Sequence, residues 1–67
     1  MNYRLCFLDH REHVTRSEMF EFPSDVYACE KAKVLFRQHS PESIEVWCDR
    51  RFVCRMSDAG LHLAVRP

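Results

Sequence analysis

Cysteine and histidine are the residues of this chain with the chemistry to bind a metal ion, and each occurs four times. The cysteines are Cys6, Cys29, Cys48 and Cys54. Zinc sites usually take their ligands from close pairs such as Cys-x2-Cys, and no pair here has that spacing. His10 and His13 form a His-x-x-His pair in a polar stretch, a pattern common by chance. We therefore predict no metal and no cofactor, and interpret the cysteines as reduced packing residues.

Nucleophilic catalysis requires a thiol or hydroxyl beside a base that a third group holds in place. Cys6 with His10 or His13 has the first two parts, but their spacing does not require them to meet. A chain of 67 residues offers little room for a closed pocket, and one glycine cannot form a glycine-rich phosphate loop. We therefore predict that the protein is not an enzyme.

Length and composition predict one small folded domain. Hydrophobic residues make up 46% of the chain and aromatic residues 12%, which excludes the disordered class. No signal-peptide pattern precedes the first strand-like run, and no apolar run approaches the length of a transmembrane helix. We expect a cytoplasmic protein that does not associate with membranes.

The charge balance argues against nucleic acid as the partner. Ten basic and ten acidic side chains give a net charge of zero, whereas nucleic-acid-binding domains usually carry a basic surplus. Arg50, Arg51 and Arg55 around Trp47 still leave single-stranded nucleic acid as an alternative, with the indole as a stacking platform. The balanced charge also opposes self-association only weakly.

Hydrophobic periodicity predicts strands on both sides of one helix. The predicted strands are Tyr3–Leu8, Val14–Phe22, Ser43–Cys48 and Phe52–Met56, and the predicted helix is Asp25–Gln38. Ser24 is a favourable N-cap, Cys29, Ala32 and Phe36 lie on one apolar stripe, and Pro41 ends the helix. The polar middle of the second strand indicates a sheet edge or a bulge.

These elements predict an α+β fold of the ββαββ type, with one helix on one face of a four-stranded antiparallel sheet. The simplest crossover places the third strand beside the first, which gives the strand order 2-1-3-4. The domain then spans residues 1–56. Residues 57–67 form a tail in which Leu61, Leu63 and Val65 alternate, so the tail is either a short extra strand or frayed.

The register of the second hairpin follows from parity, because opposite residues of an antiparallel pair point to the same face. Its inward-facing residues are predicted to be Ile44, Val46, Cys48, Phe52, Cys54 and Met56, all even-numbered. The sequence positions of each opposite pair then add up to an even number, which requires a loop with an odd number of residues, most simply residues 49–51. Cys48 then lies opposite Phe52, and Glu45 lies opposite Arg55 on the outer face.

A single helix covers a single face of a sheet, so the opposite face is the predicted site of interaction. The residues predicted on it are Arg4, Cys6, Leu8, Trp47, Val53 and Arg55. A tryptophan beside aliphatic side chains is unusual on the open surface of a monomer, and tryptophan is enriched at binding hot spots. Three occupants are considered: the folded-back tail, a second copy of the chain, or another macromolecule. We favour the second copy, and no protein partner is specified.

Three segments of the sequence resemble a type of short bacterial protein with no assigned function. These are YRLCFLD near the start, the Pro-Ser-Asp that precedes the EKAKVLF helix, and IEVWCDRRFVCRM. The resemblance covers about residues 3–56 and rests on structural motifs. It implies a bacterial cytoplasmic origin and provides no active site or ligand. The helix between paired strands also resembles small antitoxin domains, although those usually show three strands before the helix.

The sequence therefore predicts a small, non-enzymatic protein-interaction module that self-associates as a homodimer through the sheet face bearing Trp47. The alternative is a regulatory, antitoxin-like protein or one that binds single-stranded nucleic acid.

Overall fold

Five strands and one helix make up the residues that the computed structural model describes, which are 1–64. They are β1 (Asn2–Leu8), β2 (Val14–Glu21), α1 (Asp25–His39), β3 (Ser43–Cys48), β4 (Arg51–Ser57) and β5 (Gly60–Leu63). The predicted α+β class is confirmed. The predicted strands and helix all form, with bounds that differ by one residue at most.

The strands form one sheet in the order β2-β1-β3-β4-β5, with every neighbouring pair antiparallel. The predicted order 2-1-3-4 is confirmed, but the prediction of four strands is wrong because β5 extends the sheet beyond β4. Leu61 and Leu63 of β5 lie opposite Met56 and Cys54, so they continue the helix-side face. Val65, which the tail pattern includes, lies outside the described residues.

The two ends of the helix are closed in different ways. Ser24 occupies the N-cap position, but its side chain makes no capping hydrogen bond. The first-turn carboxylate, Asp25, instead accepts hydrogen bonds from Tyr3 and Arg51. At the other end, Ser40 has φ 49° and donates its backbone N–H to the carbonyl of Phe36, which closes the last turn. A membrane-spanning helix is not found among residues 1–64, since none there has both the necessary length and apolar character.

The core lies between α1 and the sheet. Its buried residues are Tyr3, Leu5, Phe7, Ala28, Cys29, Ala32, Leu35, Ile44, Val46, Val53 and Cys54. Three of the four buried helix residues are small: Ala28, Cys29 and Ala32. Small side chains at this contact let the helix backbone approach the sheet closely. The larger strand residues then fill the space between them.

The turn of the second hairpin is shorter than the parity argument predicts. Cys48 lies opposite Arg51, so the loop consists of Asp49 and Arg50 alone. Asp49 has φ 55°, a left-handed conformation that aspartate tolerates better than most residues. The prediction of a three-residue loop is wrong, as is the pairing of Cys48 with Phe52.

A β-bulge restores the alternation of β4 after this short loop. Trp47 pairs with Phe52, whereas Val46 pairs with Cys54, so Val53 is the extra residue. Val53 is 5% exposed and belongs to the helix-side core, so its predicted position on the outer face is wrong. Phe52 correspondingly faces outward instead of inward. Beyond the bulge the predicted register holds, and Glu45 lies opposite Arg55 as expected.

Candidate interaction surface

The sheet face opposite α1 is the candidate site, and strand register divides it into three bands. One band, here called the aromatic row, runs across four strands and contains Met19, Arg4, Trp47 and Phe52. The middle band contains Ser17, Cys6, Glu45, Arg55 and His62. The third band is formed by the ends of the strands next to the loop between β1 and β2. The three bands differ in how the chain covers them.

The aromatic row is the open part of this face. The rings of Trp47 and Phe52 meet edge to face, with centroids 5.2 Å apart. The indole Nε1 of Trp47 donates a hydrogen bond to Glu45 Oε1 at 3.2 Å, which fixes the ring orientation. Met19 is 60% exposed, and Arg4 is exposed beside it. Aromatic residues, methionine and arginine are the residue types enriched at protein interfaces.

The middle band is dominated by one cation and two carboxylates. Arg55 lies 3.3 Å from Glu45 and 2.9 Å from Glu12, measured from guanidinium nitrogen to carboxylate oxygen. The hydrogen bond from Arg55 holds the pKa of Glu12 below its usual value and raises the pKa of Arg55 itself. Cys6 lies in the same band, and burial raises the pKa of its thiol. That shift opposes a nucleophilic role for Cys6, because the thiolate is the reactive form.

The third band is covered by the chain itself. Glu12 belongs to the loop between β1 and β2, and its carboxylate meets the guanidinium of Arg55 from β4, so these two side chains bridge the outer side of β3. Beneath it Leu8 and Ser43 are buried. The carboxylate of Asp9 accepts hydrogen bonds from the backbone N–H groups of Arg11 and His13 and holds the loop in this shape. These bonds also hold the pKa of Asp9 below its usual value.

The predicted interaction face is therefore split between these bands. Arg4 and Trp47 lie in the aromatic row, Cys6 and Arg55 lie in the middle band, and Leu8 is buried in the third. Val53 is the one predicted residue that faces the helix instead. The sequence prediction thus placed five of its six residues on the outer face, as the strand register has them, but treated that face as uniformly open.

Two residues of the aromatic row are absent from the predicted site. Met19 follows from alternation in β2, because Phe20 faces inward and its neighbour must then face outward. Phe52 carried no such signal, since its orientation depends on the loop length and on the bulge at Val53. The opposite assignment of Phe52 and Val53 is the error that concealed the Trp47–Phe52 contact.

A second concave region lies on the helix side, between the start of α1 and strands β4 and β5. This cleft has a volume of about 440 Å³. Its lining residues are Asp25, Val26, Cys29, Glu30, Arg51, Phe52, Val53, Leu61, Leu63 and Ala64. The cleft is therefore lined by apolar side chains with a few charged groups along it.

A three-residue network connects the cleft to the core. Arg51 donates two hydrogen bonds to Asp25, at 2.8 and 2.9 Å, and the hydroxyl of Tyr3 donates a third at 2.7 Å. The bonds from Arg51 and Tyr3 lower the pKa of Asp25 to about 2. Burial, together with the hydrogen bond to Asp25, raises the pKa of Tyr3 to about 12. Arg51 is thereby occupied by a carboxylate of its own chain.

The His-x-x-His pair lies in the loop between β1 and β2. His10 and His13 are both exposed there. Among residues 1–64, no group of three or more histidine, cysteine, aspartate or glutamate side chains is arranged to hold a metal ion.

Comparison of the chain with protein-family models, with curated proteins and with solved structures finds no match.

Proposed function

We propose that this protein is a non-enzymatic interaction module that self-associates through its aromatic row. The observation that carries this proposal is the edge-to-face pair of Trp47 and Phe52 beside exposed Met19 and Arg4. The middle band is polar, with the ion pairs of Arg55 and exposed Ser17 and His62, and the third band is buried at Leu8 and Ser43. The aromatic row, in which Trp47 and Phe52 are half-buried, is thus the apolar part of this face that a partner can reach, and its residue types favour a protein partner.

Charge favours a second copy of the chain as that partner. Arg4 and Glu21 are both exposed on the outer face, on the adjacent strands β1 and β2, and neither forms a salt bridge within residues 1–64. In a two-fold symmetric interface each contact occurs twice, so Arg4 of each protomer can pair with Glu21 of the other. The net charge of zero adds no general repulsion between the copies.

The nucleic-acid alternative has less support than the dimer. It requires free positive charge near Trp47, and of the four arginines there Arg51 is paired with Asp25 and Arg55 with Glu12 and Glu45, so only Arg4 and Arg50 are without a salt bridge among residues 1–64. Paired arginines release few phosphate counterions, so their contribution to binding is small. Binding of a labelled single strand at low salt, lost in Arg4→Glu, would favour this alternative over self-association.

Sedimentation velocity across the micromolar range tests the proposal. The wild-type chain should dimerise, and Trp47→Ala should raise the dissociation constant about 30-fold, as expected for a hot-spot residue. Tyr27→Ala is the matched control, because Tyr27 is an exposed aromatic residue on the helix, away from the sheet. The control should dimerise like the wild type. A wild-type chain that stays monomeric throughout this range would overturn the proposal.

A pair of charge reversals tests the proposed contact between Arg4 and Glu21 of the two copies without altering an aromatic residue. Arg4→Glu should weaken the dimer, and the double variant with Glu21→Arg should restore it, because the pairing is reversed rather than removed. Both side chains are exposed, so the fold is expected to tolerate these changes. Failure of the double variant to recover affinity would contradict the proposed pairing of Arg4 with Glu21.

A further inference from the structure

Two buried thiols meet between the helix and the sheet. The Sγ atoms of Cys29 on α1 and Cys54 on β4 are 2.8 Å apart. Cys54 is fully buried, and Cys29 is 6% exposed. Neither Cys6 nor Cys48 makes such a contact within residues 1–64, where all four cysteines are free. The fold therefore places one specific pair of thiols together out of the four.

We propose that Cys29 and Cys54 are a reversible oxidation site, a dithiol that low-molecular-weight disulfides convert into an intramolecular disulfide. A disulfide has its sulfur atoms about 2.05 Å apart, so the two sulfurs must approach by about 0.8 Å from their 2.8 Å separation. A shift of that size is within reach of rotation of the two side chains.

The cleft determines which thiol reacts first. Cys29 lines the cleft of about 440 Å³, whereas Cys54 lies behind it in the core. Burial, ahead of the contact with Cys29, raises the pKa of Cys54, which disfavours its thiolate. A small disulfide that enters the cleft therefore meets Cys29, and Cys54 acts as the resolving thiol.

The exchange balances in two steps. The thiolate of Cys29 attacks one sulfur of the small disulfide RSSR, forms a mixed disulfide with that RS group and expels the other as thiolate. The sulfur of Cys54 then attacks the sulfur of Cys29 and expels the second RS group. The protons of the two cysteine thiols end on the two RSH products. Two protein thiols are oxidised, one small disulfide is reduced, and excess RSH reverses the reaction.

The bond would covalently join α1 to β4 through two residues that are 25 positions apart in sequence. Closing a loop of this length restricts the unfolded chain and stabilises the folded one. Domains of this size have little stability to spare and often depend on such a cross-link. We expect the oxidised protein to unfold about 10 °C higher than the reduced protein, with reversal by a reducing agent.

The test equilibrates the native chain in buffers of oxidised and reduced glutathione, quenches with acid, and alkylates the remaining thiols for mass spectrometry. The wild type should lose two alkylatable thiols and yield one cross-linked peptide pair that contains Cys29 and Cys54. Cys6→Ser with Cys48→Ser is the matched control and should yield the same cross-link. In Cys54→Ala, Cys29 should instead accumulate as a mixed disulfide with glutathione.

Two results would overturn the proposal. One is four alkylatable thiols in the wild type at the most oxidising buffer, and the other is a cross-link that involves Cys6 or Cys48. Both are read from the wild-type chain, so the conclusion does not depend on whether a variant folds. Neither result bears on the aromatic row, so failure here is distinguishable from failure of the proposed dimer.

Discussion

On the helix side of the sheet Tyr3, Leu5 and Val46 are completely buried, whereas on the opposite side Arg4 and Met19 remain exposed. Both sets lie on strands of the same sheet, and β1 contributes to both. The helix side is closed by a rigid element whose small residues fit against larger strand residues. The outer side is closed only in part, by a loop that a salt bridge to Arg55 holds down.

This difference assigns stability and recognition to opposite faces. Burial of apolar area is the main source of folding free energy, so stability comes mostly from the helix side. The charges on the outer side contribute little to folding, because exposed ion pairs are screened by water. The loop covers the third band and leaves the aromatic row open. We infer that the outer face is divided, with one part that supports the fold and one that is available for contact.

Two leucines of β1 allow the two faces to be compared directly, since Leu5 belongs to the helix-side core and Leu8 is buried on the outer face, next to the loop. Leu5→Ala should cost about 3–4 kcal/mol of unfolding free energy, because the helix cannot collapse into the cavity. Leu8→Ala should cost about 2 kcal/mol, because the loop can move inward. Urea denaturation measures both losses, with the partly exposed Val34→Ala as a control that should change little. Equal losses for the two leucines would mean that the loop is packed as rigidly as the helix.

Ser43 tests how well the loop serves as a cover. Its side-chain oxygen is buried without a hydrogen-bond partner among the described residues. Ser43→Ala removes that unsatisfied group and should raise the unfolding free energy by about 1 kcal/mol. Ser17→Ala, which alters an exposed serine of β2, is the control and should change little. A loss of stability in Ser43→Ala would show that the hydroxyl has a partner, such as a bound water.

The helix-side half of this comparison could be predicted from the sequence. Alternation in Tyr3–Leu8 and the apolar spacing of Cys29 and Ala32 are local signals that predict these elements and the faces they bury, while the order of the first four strands follows from the simplest crossover. The bounds of β3, Ser43–Cys48, agree with the prediction at both ends. These features follow from periodicity because one face of each element must be apolar.

The arrangement of the outer sheet face depends on features that leave no local signal in the sequence. The even numbering of the inward-facing residues agrees equally well with a three-residue loop and with the two-residue loop and bulge that the chain adopts. The sequence therefore assigns Phe52 and Val53 each to the wrong face of the sheet. The salt bridge between Glu12 and Arg55 joins residues 43 positions apart, and neither residue type indicates the other as a partner. Which part of the face stays open therefore required the three-dimensional structure.

Acid should weaken the helix side through Asp25. Its pKa is about 2 in the folded chain and 3.8 ordinarily, so the unfolded chain binds the proton first. Stability from this group is complete above about pH 4 and is lost as the pH falls through 2. Since Asp25 and Arg51 are 41% and 40% exposed, we expect a loss of only a few degrees in Tm. Thermal unfolding of wild type and Asp25→Asn between pH 5 and 2 measures it. Parallel curves for the two proteins would contradict the assignment.

The smallest expected effect comes from releasing the loop over the outer face. Glu12→Ala removes the ion pair with Arg55 and should lower Tm by about 2 °C, because the pair is exposed to water. Hydrogen exchange should show faster exchange of the backbone N–H of Asp9, which bonds to the carbonyl of His13 inside this loop.

The same variant separates the covering role of the loop from the contact role of the aromatic row. Glu12 lies outside that row, and release of the loop would expose the apolar side chain of Leu8. Self-association of Glu12→Ala should therefore be as strong as that of the wild type or stronger, which sedimentation velocity measures. A weaker dimer would mean that the loop itself contacts the second copy. The division of the outer face into a covered part and a recognition part would then be wrong.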